Sequence, residues 1–112
     1  MSQLTTHILD TMQGKPATGV SIILYRYNDG AWKEIANGIT DTDGRIKDLL
    51  QKDLVLATGE YKLRFETQAY FDRLAVQSFY PWIEIIFRVT DSTHYHVPLL
   101  LNAFGYSTYR GS

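Results

Sequence analysis

His94-Tyr95-His96 sets two imidazoles two residues apart, and a third, His7, lies in Leu4-Thr5-Thr6-His7-Ile8-Leu9-Asp10. Both runs read as strands. Successive strand side chains point to opposite faces, so His94 and His96 share one face and Tyr95 takes the other. The same alternation groups Thr5 with His7, looking out together into a cleft or an interface. Two chemistries fit. Three histidines are a known ligand set for catalytic zinc, and two imidazoles titrating near neutral pH can divide the roles of base and acid. The plain alternative is one exposed and one hydrogen-bonded histidine on an ordinary strand, and the spacing alone does not decide.

Arg45 follows Asp43-Gly44. It is either a solvated cation after a turn or a planar fork of donors for an anionic or carbonyl-rich ligand. The last four residues, Tyr109-Arg110-Gly111-Ser112, combine an aromatic ring, a guanidinium, a bare backbone and a hydroxyl beside the α-carboxylate. They follow directly on a strand-like run. A tail so equipped is expected to be positioned rather than frayed.

The elements that must hold these groups are short strands separated by turns. Leu4 to Leu9 is the first, and Gln13 to Gly19 is a loop. Val20 to Tyr27 and Trp32 to Thr40 pair across Asn28-Asp29-Gly30, where Asp-Gly accepts the positive φ of a hairpin turn. A second turn, Asp41-Thr42-Asp43-Gly44, delivers Arg45. Glu60 to Glu66 alternates, with Tyr61, Leu63 and Phe65 on one face and charged residues on the other. Thr67 to Ala75 fits a brief helix, with Thr67 as N-cap and Ala69, Phe71 and Leu74 as its apolar positions. Ile83 to Val89, His94 to Leu101 and Tyr106 to Arg110 complete the strands. Ile46 to Thr58 is either a short helix or an irregular loop. Seven or eight strands with one helix indicate an all-β sandwich. Pro98-Leu99-Leu100-Leu101 is apolar on both faces, which suggests an oligomer contact as well as a core. Phe79, Tyr80 and Trp82 around Pro81 read as core or interface.

Composition sets the limits. With 112 residues, residues 1-112 are expected to form one domain. The chain is 45% hydrophobic and 13% aromatic with a net charge of -1, so disorder and a nucleic-acid footprint are both disfavoured. No apolar run reaches the ~20 residues of a membrane-spanning helix. The absence of cysteine excludes disulfides, a thiolate nucleophile and cysteine-ligated metals. Met1 to Thr5 has neither the basic nor the apolar region of a signal peptide, so a cytoplasmic location is expected.

Several of these segments together resemble one family. Leu4-Thr5-Thr6-His7-Ile8-Leu9-Asp10, Gly14-Lys15-Pro16-Ala17, Thr42-Asp43-Gly44-Arg45, His94-Tyr95-His96-Val97-Pro98-Leu99-Leu100-Leu101 and Tyr106 to Ser112 look like the transthyretin-related 5-hydroxyisourate hydrolases. The terminal four residues are that family's most specific signature. The resemblance runs from about Leu4 to Ser112. It implies a transthyretin-like sandwich of two four-stranded sheets with one short helix. It also implies a homotetramer, a dimer of dimers, with metal-free and cofactor-free sites in the cleft between dimers. The implied reaction, in purine catabolism, hydrolyses a ring amide of 5-hydroxyisourate to give 2-oxo-4-hydroxy-4-carboxy-5-ureidoimidazoline.

Carried over residue by residue, the family's catalytic positions fall on His7, Arg45, His96 and Ser112, and its substrate-binding positions on Tyr109, Arg110 and Gly111. His94 is not placed in the site. The roles that follow are water activation by His7, proton donation by His96, and orientation and charge stabilisation by Arg45. The Ser112 end would polarise a histidine or the water, and Tyr109 and Arg110 would shape the wall. Transthyretin, the hormone carrier of the same fold, lacks this set, which favours an enzyme over a non-catalytic small-ligand carrier. Asn102-Ala103 and Tyr80-Pro81-Trp82 depart from the usual pattern outside the catalytic positions, where they bear on loop geometry or cleft shape.

Overall fold

The computed structural model describes residues 2–112. Its strands are β1 (Leu4–Asp10), β2 (Lys15–Pro16), β3 (Ser21–Asn28), β4 (Ala31–Ile39), β5 (Gly59–Phe65), β6 (Ile83–Val89), β7 (Tyr95–Asn102) and β8 (Gly105–Thr108), with helix α1 (Thr67–Arg73) between β5 and β6. They form two four-stranded sheets, ordered β2-β1-β7-β8 and β4-β3-β5-β6. The expected sandwich and its strand boundaries hold to within one or two residues. The Gln13 to Gly19 loop also contributes the two-residue strand β2. Asp29 and Gly30 turn the β3–β4 hairpin with φ of 51° and 77°. Both being positive marks the turn that matches strand twist.

Alternation builds the core. Leu4 and Ile8 of β1, Ile22 and Leu24 of β3, Leu63 and Phe65 of β5, and Leu99 and Leu101 of β7 are fully buried between the sheets. Removing such a side chain from water is worth roughly 1.5–3 kcal/mol. Ile46 to Thr58 forms no helix; it runs as an irregular segment whose Leu49, Leu50 and Leu56 are tucked into the core. Among the described residues, no helix is long and apolar enough to cross a membrane.

The helix differs from expectation. Thr67 is its first residue rather than its cap, Glu66 stands at the N-cap without a side-chain bond, and the helix ends at Arg73. Its buried stripe is Thr67, Tyr70 and Phe71, while Ala69 and Leu74 face water. Phe79 and Trp82 are likewise exposed rather than core, and the Arg64 guanidinium lies 4.4 Å from the Trp82 ring centroid.

Tyr70 explains the helix rotation. Its hydroxyl donates to Asp10 Oδ2 at 2.6 Å, and the fully buried Asp10 also accepts from the backbone of Met12 and Gln13 and from the Gln13 amide. Burial alone would raise the Asp10 pKa, but these donors outweigh it and hold the carboxyl below its ordinary 3.8. Tyr70→Phe is expected to cost about 2 kcal/mol, the usual scale for a hydrogen bond to a charged group. A depressed folded pKa contributes stability that is present above the unfolded value and lost as pH falls toward the folded one. Urea midpoints of parent and variant should therefore differ at neutral pH and converge in acid.

Candidate active site

Strands β1 and β7 pair in parallel, with Thr5 beside His96 and His7 beside Pro98. The inward set (Leu4, Thr6, Ile8 and Tyr95, Val97, Leu99) is buried, so Thr5, His7, His94 and His96 all lie on the outer face of this sheet. Two short backbone pairings bring the remaining groups to that face. His7 bridges Arg45, and His96 bridges Gly111, both antiparallel.

Arg45 is placed by its turn. Asp41 Oδ1 accepts from the backbone N–H of Asp43 at 2.8 Å and of Arg45 at 3.1 Å, and Gly44 N–H bonds back to Asp41 O. The amide of Arg45 is the main cause that keeps the Asp41 pKa low. Gly44 then runs beneath β1, its carbonyl accepting from Ile8 N–H at 2.9 Å. At φ +73°, an added Cβ would stand 2.5 Å from Ile8 O, so the approach requires glycine.

The tail is docked, not frayed. Gly111 N–H donates to His96 O at 2.7 Å. In its extended course Tyr109 and Gly111 share the outer face and Arg110 takes the other. Tyr109, Gly111 and Ser112 accordingly border the histidine hollow, whereas Arg110 sits 4.2 Å above the Tyr95 ring and donates to Thr93 Oγ1 and His94 O. Arg110 thus anchors the tail and does not border the hollow. A separate hollow of about 310 Å³, lined by Ile86, Phe87, Val97 and Arg110 among others, contains no histidine.

His96 is held on two sides. Its Nδ1 lies 2.8 Å from Thr5 Oγ1, and the Gly111 backbone packs against its Cδ2 edge. A Cβ on Gly111 would come within 2.6 Å of Cδ2, so the ring must move and give up Thr5. Gly111→Ala is therefore expected to lower kcat about 10–100-fold with little loss of thermal stability, since a misplacement near 1 Å can cost 10²-fold.

The hollow measures about 620 Å³ and is bordered by Thr5, Arg45, His94, His96, Tyr109, Gly111 and Ser112. This is the size of small-molecule sites. Burial lowers the His96 pKa first, followed by the positive charge of Arg45 and the neighbouring His7 and His94. Burial and Arg45 likewise lower His7, against a smaller opposing effect of Asp43. Both imidazoles are therefore kept mainly neutral at pH 7 beside the Arg45 cation, but His7 reaches the site through its bridge to Arg45 and is not among the residues bordering the hollow. Among the described residues, no group of three or more His, Asp or Glu side chains is spaced to hold a metal ion. His94 Nε2 points instead at Thr5 Oγ1, 3.0 Å away. Thr5 is the member the motifs did not single out, although its place on the face of His7 was available from alternation.

A family model described as HIUase/Transthyretin family matches residues 4–111. A protein of Salmonella dublin named 5-hydroxyisourate hydrolase is 46% identical over 110 residues, covering 97% of this chain and 80% of its own length. The solved structure of Klebsiella pneumoniae 5-hydroxyisourate hydrolase superposes with a TM-score of 0.85 at 39% identity, over 97% of this chain and 98% of that one. Sea bream transthyretin in complex with thyroxine gives a TM-score of 0.91 at 32% identity, over 98% and 95%. The chain belongs to the HIUase/Transthyretin family.

Proposed function

We propose that this protein is an enzyme that hydrolyses 5-hydroxyisourate to 2-oxo-4-hydroxy-4-carboxy-5-ureidoimidazoline in urate degradation, with residues 1–112 acting as one catalytic domain. The observation that carries the reading is the pair of backbone bridges, His7 to Arg45 and His96 to Gly111, that draws dispersed segments to one hollow. The relatives named for this reaction support the substrate.

Hydrolysis of a ring amide needs an activated water, a sink for oxyanion charge and a proton for the leaving nitrogen. His7, kept neutral by burial and by Arg45, takes a proton from the water as it attacks the carbonyl carbon. Arg45 orients the oxygen-rich ring and stabilises the charge that develops on the carbonyl oxygen. His96, with Nδ1 turned to Thr5, has Nε2 left for the substrate and gives its proton to the leaving nitrogen as the C–N bond breaks. Tyr109, Gly111 and Ser112 form the wall, Ser112 offering a hydroxyl to the water or a histidine. Arg110 contributes through the tail's position.

The active assembly in this reading is a homotetramer, a dimer of dimers. Exposed Phe79, Ile86 and Phe104 support burial against further copies, and the solution mass should be four times 12.9 kDa. A cytoplasmic setting belongs to the same reading, and a chain without cysteine is compatible with it.

The deciding experiment generates 5-hydroxyisourate with urate oxidase and follows its ultraviolet decay. Added protein should accelerate the decay in proportion to its concentration. The likeness to a thyroxine-bound transthyretin favours a second reading, a non-catalytic carrier. That reading predicts saturable small-ligand binding and no change in the decay.

A further inference from the structure

Thr5 Oγ1 lies 2.8 Å from His96 Nδ1 and 3.0 Å from His94 Nε2, so one hydroxyl joins two imidazoles. Their rings are near-parallel, with centroids 6.5 Å apart and planes at 16°. We propose that His94 and Thr5 form with His96 a proton relay that fixes the His96 tautomer and resupplies its ring as His96 gives up a proton. This rests on the reading of His96 as the proton donor.

The chemistry follows from counting hydrogens. A threonine hydroxyl has one proton and can also accept. It therefore donates to one ring and receives from the other. When Thr5 donates to His96 Nδ1, a neutral His96 carries its proton on Nε2, toward the hollow, which is the tautomer a proton donor needs. His94 then donates from Nε2 to Thr5. On its own, a neutral His96 that releases its Nε2 proton would become an imidazolate. Through the relay it does not. The His96 Nε2–H bond breaks as the proton joins the leaving nitrogen, and the Thr5 proton moves to His96 Nδ1. The Nε2 proton of His94 moves to Thr5 as solvent protonates His94 Nδ1. Net, one proton passes from solvent to the leaving group, and His94 and His96 both stay neutral with their protons moved to Nδ1. To reset the string, solvent protonates His96 Nε2, the protons pass back through Thr5 until His94 releases its Nδ1 proton to solvent, and His7 gives up its own, so the cycle consumes only water.

The surroundings favour this direction. His96 faces His7 on β1, Arg45 on the turn before the Ile46 segment, His94 on its own strand, and Tyr109 and Ser112 on the tail. Among the residues bordering the hollow, the one carboxylate is the α-carboxylate of Ser112, and no aspartate or glutamate side chain is there to balance a cation on His96. His94 directly precedes β7 and, like His96, is half-exposed. In this scheme Thr5 and His94 are positioning residues, since neither need touch the reacting atoms.

The test uses Thr5→Val, which keeps the β-branched shape and loses the hydroxyl, with His94→Gln, the double variant and Thr5→Ser. Thr5→Val and His94→Gln should each lower kcat about 10–100-fold, part of the ~10²–10⁴ that acid–base help supplies, with KM within about twofold. The double variant should be no worse than the poorer single one, because residues acting as a unit are non-additive. Thr5→Ser should recover to within about threefold. In ¹⁵N-histidine spectra, the parent's His96 should show the Nε2-protonated form, and Thr5→Val a mixture. Additive losses, an unaltered kcat in Thr5→Val, or a His96 tautomer indifferent to the substitution would each overturn the relay. Parent protein that fails to hydrolyse 5-hydroxyisourate yet keeps the Thr5-dependent tautomer would overturn the hydrolase reading and support the hydrogen-bonded string.

Discussion

His96→Gln is expected to lower kcat on 5-hydroxyisourate by about 10²–10⁴-fold, the range that a positioned acid–base group supplies. Glutamine preserves most of the side-chain volume and can still bond to Thr5, but it cannot exchange a proton at neutral pH. The backbone bond from Gly111 to the residue 96 carbonyl does not involve the side chain, so the tail should stay docked. His96 is on the half-exposed outer face, clear of the buried Val97 and Leu99 that hold the sheets together. The loss should accordingly appear in kcat, with KM near the parent value and the unfolding temperature changed by no more than a few degrees. A variant with parental kcat would remove His96 from the chemistry and leave it a wall residue. His7→Gln should behave similarly, because an amide in place of the base leaves the water unactivated.

The sandwich was legible because period-2 alternation is strong where it matters: Tyr61, Leu63 and Phe65 announce a buried face without help from tertiary contacts. Asp29-Gly30 and Asp43-Gly44 announce turns through backbone chemistry alone. The helix register was not legible. Seven residues give few periods to count, and the choice of Tyr70 over Leu74 for the interior depends on a carboxylate sixty residues away, Asp10. The histidine and arginine positions could be assembled from motifs, but their convergence could not be derived from spacing. It depends on the parallel β1–β7 register and on two isolated bridges between distant segments. The tail shows the same limit. Its four residues look equally functional in sequence, yet docking Gly111 on His96 sends Tyr109 to the hollow and Arg110 to Tyr95. Likewise Thr5 is an ordinary strand threonine until the register sets it beside His96.

Arg45→Met is expected to lower kcat/KM by about 10²–10³-fold, the usual effect of losing a donor aimed at an oxyanion. It should also move the pH profile, and the direction distinguishes a charge effect from lost packing. The Arg45 cation lowers the pKa of both His7 and His96. Without it both histidines shift upward, so His7 becomes a competent neutral base only at higher pH, and the acid limb of kcat/KM must move to higher pH. Arg45→Lys separates the two contributions. An ammonium retains the charge but lacks the planar fork, so the acid limb should stay near its parental position while turnover remains well below the parent. The turn itself should be indifferent to either change, because Asp41 holds residue 45 by its backbone N–H and Gly44 makes the contact with β1. Parental thermal stability in both variants would confirm that the fold is intact. An acid limb that stays fixed in Arg45→Met would mean that burial alone keeps the histidines neutral. Arg45 would then serve the substrate and not the base.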